Sequence, residues 1–169
     1  MNARSGDVRL FALLLTVWLF AGCERSTHVT VEGGGTPVFV LSGSGNLAKL
    51  EVYLLPVSYE NETKPFWTSP PVWRIHAQQG YSSGRSLQDI DKVTYGVVPP
   101  GYKQVIPENN QPPLTILPDR IYQVSCDTTN APHGAAAFQV KEGNARSIDV
   151  ELPCFTQQNG KWMKVPCVR

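Results

Sequence analysis

Beyond Cys23, no stretch of twelve residues repeats its apolar positions every 3.6 residues between capping residues. Short runs that alternate at period two recur instead along the chain. This contrast limits the fold more than any other feature, because a strand buries every second side chain and a helix every third or fourth. Residues 49–54 alternate in this way, as does Trp73–Ala77, where Trp73 and Ile75 share a face. Further runs rich in β-branched and aromatic residues occupy 92–98, 120–127, 135–141, 146–152 and 161–168. Pro99-Pro100-Gly101 stops one of them, and 130–134 and 142–145 read as turns. Fourteen glycines and fourteen prolines punctuate the chain, and a 41% hydrophobic content suffices for a core. The expected fold class is all-β, with a single antiparallel β-sandwich over 47–169. Residues 23–46, rich in Gly, Ser and Thr, read as a tether with a possible first strand at 37–41. Residues 81–91 are polar and glycine-bearing and read as a mobile surface loop.

The first 22 residues follow a different plan. Leu10 to Phe20 is an uncharged apolar run of eleven residues, flanked by Arg4 and Arg9. As a helix it spans about 16 Å, roughly half of a bilayer's hydrocarbon core, which suits the h-region of a signal peptide. The run ends in Leu19-Phe20-Ala21-Gly22-Cys23. This resembles the lipobox of bacterial lipoproteins, with Phe20 standing where Leu or Val is usual. The resemblance implies removal of 1–22 and lipidation of Cys23. A multiply acylated cysteine would hold the chain to a membrane, since each buried methylene contributes about 0.8 kcal/mol. Glu24, where inner-membrane lipoproteins carry Asp, implies the outer membrane and its periplasmic face. The mature chain would then have 147 residues, the full 169 less the first 22.

One local pattern sharpens the sandwich. In Ile116-Leu117-Pro118-Asp119-Arg120-Ile121-Tyr122-Gln123-Val124, an apolar residue, a proline and a turn precede a Tyr-x-apolar strand start. This resembles the corner of immunoglobulin-like and fibronectin-type sandwiches. The resemblance implies an inward Tyr122 ring whose hydroxyl bonds to the turn backbone. A transthyretin-like sandwich satisfies the same pattern.

With Cys23 lipidated, Cys126, Cys154 and Cys167 remain, and an exported protein permits one disulfide among them. Cys154 and Cys167 flank a hairpin and are the expected pair, with Cys126–Cys154 as the rival. A type II′ turn on Gly160-Lys161 sets Cys154 opposite Cys167. A type I′ turn on Asn159-Gly160 offsets them by two residues. Cys126 shares a strand face with Tyr122 and Val124 and is expected to be a small buried hydrophobe.

Catalytic and cofactor chemistry find no motif. His28, His76 and His133 stand alone, without zinc-ligand spacing, so no metal or cofactor is expected. There is no GxSxG elbow, and Asp89 and Asp91 lack calcium-loop spacing. Gly33-Gly34-Gly35 is not followed by Lys-Ser/Thr, so it is no phosphate loop. A net charge of +1 with 17% charged residues gives no basic stripe for nucleic acid. The leading function is therefore a non-enzymatic, lipid-anchored β-sandwich that docks to another envelope protein. The alternative is a module for a glycan or small ligand, using Trp67, Trp73 and Tyr81 as contacts, favoured if two of these rings share an exposed patch. A hydrolase assembled by folding ranks third, favoured by a pocket that joins a histidine to a nucleophile.

Overall fold

The computed structural model describes residues 26–167; the signal segment and Cys23 lie outside them. Eleven strands are formed: β1 (Thr27–Glu32), β2 (Val38–Gly43), β3 (Asn46–Leu54), β4 (Trp73–Ala77), β5 (Lys92–Thr94), β6 (Tyr102–Ile106), β7 (Ile121–Thr129), β8 (Gly134–Lys141), β9 (Asn144–Ile148), β10 (Cys154–Gln158) and β11 (Lys161–Val165). The only helical pieces among the described residues are three short 3₁₀ turns, Tyr59–Asn61, Phe66–Thr68 and Tyr81–Ser83. A six-stranded sheet runs in the order β6-β4-β3-β7-β8-β9, a three-stranded sheet in the order β1-β2-β5, and β10-β11 forms a separate hairpin. Every pairing is antiparallel. The protein is an all-β sandwich, as its period-two patterning predicts.

The core lies between the two larger sheets. Phe39 of β2 packs at 6.4 Å from Trp73 of β4 and 5.6 Å from Phe138 of β8, centroid to centroid. Leu50 and Val52 of β3 and Val124 and Cys126 of β7 are fully buried on the same side. Burying side chains of this size contributes about 1.5–3 kcal/mol each before entropy is counted. The corner at Tyr122 also forms: its ring is buried, and its hydroxyl accepts the N–H of Leu117 at 3.0 Å.

The structure departs from the sequence pattern in four places. Within the tether expected over 23–46, the possible first strand at 37–41 forms as β2, with Phe39 and Leu41 in the core, whereas residues 27–32, read as linker, form β1 with Val29 and Val31 buried. The alternation of β1 is short and glycines follow it, so composition hid it. The run expected over 92–98 stops at Thr94, because Gly96 takes a positive φ of 79° and turns the chain. β6 had no counterpart in the sequence reading. The loop over 81–91 is fastened to the fold, since Leu87 and Ile90 are buried and Gly84 lies against the Leu47 carbonyl.

Cys154 and Cys167 form a disulfide, with their Cα atoms 5.3 Å apart. Asn159 (φ 50°) and Gly160 (φ 75°) occupy the turn, and Cys154 pairs with Val165. The type I′ alternative with its two-residue offset is the one adopted; Pro166 ends the ladder and Cys167 closes the loop beyond it. Closing a loop with this separation of 13 contributes about 3 kcal/mol in the loop-entropy picture. Cys126 is buried and free, and burial pushes its thiol up to about 12.

Candidate functional site

The outer face of the six-stranded sheet carries a dense polar group, and strand register assembles it. Alternation along β3 turns Lys49, Glu51 and Tyr53 away from the core, and along β7 it turns Gln123, Ser125 and Asp127 the same way. Glu51 sits opposite Arg74 on one side and Ser125 on the other. Lys49 sits likewise between His76 and Asp127, and Tyr53 opposite Gln123.

Glu51 is only 3% exposed, so its charge needs compensation. Arg74 Nε donates to Glu51 Oε1, and Lys49 Nζ lies 2.7 Å from Oε2. The same lysine reaches Asp127 Oδ2 at 2.9 Å. Burial works to lower the Lys49 pKa, but the Glu51 and Asp127 carboxylates outweigh it and hold the ammonium above its ordinary 10.5. The hydrogen bond from His133 is the main cause that holds Asp127 down at about 2; burial opposes it and Lys49 assists. Burial, then the Glu51 charge, pushes the Tyr53 phenol up. Burial, then Arg74 and Lys49, pushes His76 down.

Aromatic side chains raise a wall beside this floor. Phe66 and Trp67 stand on the 3₁₀ turn between β3 and β4, which Thr68 fixes by donating from Oγ1 to the Pro65 carbonyl at 2.7 Å. Phe66 meets Tyr53 edge-on at 5.2 Å and Trp67 at 4.9 Å. Trp67 in turn meets Phe155 at 6.3 Å and Trp162 at 6.2 Å, so the disulfide-closed hairpin braces it. Floor and wall enclose a groove of about 620 Å³. Gln123 lines it, 7% exposed, and its Oε1 has no hydrogen-bond partner within the protein. Gln123 also borders a neighbouring hollow of about 490 Å³ lined by Ala135 and Ala137, which offers no charged or aromatic grip beyond Asp149.

The three contact residues expected from the sequence part company here. Trp67 lines the groove and is 45% exposed. Trp73 is fully buried, met edge-on by Tyr95 at 5.3 Å and donating its indole N–H to Gln104 Oε1 at 3.0 Å, so it is a core residue and no ligand contact. Tyr81 is 57% exposed but follows the end of β4, whereas Trp67 precedes its start. The three rings therefore make no common patch. Lys49, Glu51, Arg74, Gln123, Ser125 and His133, which do line the groove, were missed. Alternation on 49–54 and 120–127 carried the signal for which face they share; register, which brings them together, is not visible in one strand.

A histidine does meet a hydroxyl. His133 Nδ1 is 2.7 Å from Asp127 Oδ1, and His133 Nε2 is 3.5 Å from Ser125 Oγ. The order matches a Ser-His-Asp relay, but 3.5 Å is long for the hydroxyl contact. Ser125 also lies in β7, between β3 and β8, where its backbone N–H belongs to the ladder and is not left to receive an oxyanion. No group of three metal-ligating side chains exists among the described residues, and no described helix is long and apolar enough to cross a membrane. No protein family, curated protein or solved structure matches this chain.

Proposed function

We propose that this chain is a lipoprotein of the cell envelope, anchored through Cys23 at the periplasmic face of the outer membrane, and that it acts there as a non-enzymatic binding module. The observation that carries the binding role is the built groove: a buried carboxylate neutralised by two cations, walled by a braced tryptophan. The anchor reading rests on the apolar run and Leu19-Phe20-Ala21-Gly22-Cys23. Since β1 begins at Thr27, only four residue steps separate it from Cys23, which span at most about 14 Å. An anchored sandwich would thus sit close to the lipid with the Thr27 end of β1 nearest. Thr27 pairs with Gly43, just ahead of β3. From there β3 runs from Asn46 to Leu54, the end from which the chain continues to Trp67.

Docking to another envelope protein through loops or an edge strand is the broader form of this reading. The groove favours its second form, in which a glycan or other small ligand is bound, because a ring and convergent polar groups surround one cavity. The anchor is tested by intact mass and membrane fractionation of the protein from a bacterial host. The expected mass starts at Cys23 and carries acyl groups, and Cys23→Ser moves the protein out of the membrane fraction. An unacylated mass that begins elsewhere rejects the anchor.

A further inference from the structure

We infer that the groove binds an uncharged saccharide, with the face of Trp67 as its platform and the polar side chains around Glu51 and Gln123 as its hydrogen-bonding floor. This rests on the small-ligand form of the proposed function.

Three observations select that chemistry. First, the charges of the floor cancel: Lys49 and Arg74 against Glu51 and Asp127, every one of them ion-paired. A charged ligand would have to break a pair and strand its partner, at high cost where Glu51 is 3% exposed. An uncharged ligand leaves all the pairs intact. Second, a pyranose has an apolar C–H face and a rim of hydroxyls that both donate and accept. The groove matches that duality, with a 45% exposed indole on one side and carboxylate, guanidinium and amide groups on the other. Gln123 Oε1 is a buried acceptor that the fold leaves unsatisfied, and the amide, once turned into the groove, would take a ligand hydroxyl as its donor. Third, the platform is rigid. Phe66, Phe155 and Trp162 hold Trp67 edge-on, at interplanar angles of 87–89°, so little ordering of the ring remains to be done on binding. The volume of about 620 Å³ lies within the range of small-molecule sites.

The test is a glycan array of neutral and acidic oligosaccharides probed with the full-length protein, followed by calorimetric titration of the neutral hits. The expected result is binding to neutral members. Affinity should fall about tenfold or more in Trp67→Ala and in Gln123→Leu, and by only a few-fold in Trp67→Phe, which keeps a ring. Thermal unfolding of each variant reports whether it is folded, and the Trp67→Phe and Gln123→Leu pair decides the question if Trp67→Ala is not. A blank array, binding confined to acidic glycans, or affinity indifferent to Trp67 and Gln123 overturns the inference. The anchor is read separately by the Cys23→Ser fractionation, so its failure and that of the saccharide site are distinguishable.

Discussion

The hydroxyl of Tyr122 accepts the backbone N–H of Leu117 at 3.0 Å, across the turn that leads into β7. The ring itself stacks on Phe138 at 5.4 Å, so one side chain ties the entry turn to the core. Tyr122→Phe keeps the stacking and removes the acceptor. We expect a loss of about 1 kcal/mol, read from urea midpoints at unchanged m-value. An unchanged midpoint would show that water replaces the hydroxyl without cost.

That corner was legible because its information is local: a proline, a turn and a tyrosine within nine residues. The same holds for the disulfide-closed hairpin, where Asn-Gly sets the turn. β1 was not legible, since its own alternation is only six residues long and, although β2 follows it directly, the β8 and β9 strands it packs against lie far along the chain. The groove was legible in part. Trp67 stood out by type, but its floor depends on β3 having β4 on one side and β7 on the other, a long-range pairing that no single strand declares. Trp73 was separable from Trp67 in sequence, since it shares one face of an alternating strand with Ile75, and that face is the buried one of β4.

The loop over 81–91 should prove stiff. Tyr102 donates from its hydroxyl to the Leu47 carbonyl at 2.7 Å and accepts the Arg85 N–H at 3.1 Å. A Cβ on Gly84 would meet the Leu47 carbonyl oxygen at 1.9 Å, inside any allowed contact, and that atom is backbone. Gly84→Ala is therefore expected to cost about 3 kcal/mol or more and to speed hydrogen exchange in 81–91. A stable variant with unaltered exchange would contradict this packing.

Asp127 sets an acid limb. Its pKa lies below the unfolded value, at about 2 against 3.8, so it contributes stability above pH 4 that is lost as pH falls toward 2. Its side chain is 24% exposed and solvent screens it, so about 1 kcal/mol is expected rather than the full linkage value. Asp127→Asn should be less stable than the parent at pH 6, and the difference should shrink as pH falls toward 2. Urea denaturation at both values checks this. A difference undiminished at pH 2 would place its origin elsewhere.

Thiol counting joins the core to the anchor. Buried Cys126, with its thiol pushed up to about 12, should not react with Ellman's reagent in the native protein at pH 8. In denaturant without reductant one thiol should appear, because Cys154 and Cys167 are bonded and Cys23 would be a thioether. Two thiols would mean that Cys23 is free, and rapid native reaction would mean that Cys126 is not buried.

Ser125 decides between a binding floor and a reactive one. Its Oγ stands 3.5 Å from His133 Nε2, with Asp127 behind the ring at 2.7 Å, so the order of groups alone would permit proton transfer from the hydroxyl. Nucleophilic attack needs more: an exposed oxygen, and donors aimed at the charge that develops on the substrate. Ser125 is 8% exposed, and its backbone N–H belongs to a ladder between β3 and β8. Lys49, a cation on the same face of the sheet, is held between Glu51 and Asp127. We therefore expect no adduct when the folded protein is incubated with diisopropyl fluorophosphate and its mass is measured. An adduct mapped to Ser125, and absent in His133→Ala, would overturn the non-enzymatic reading and assign the groove to acyl transfer.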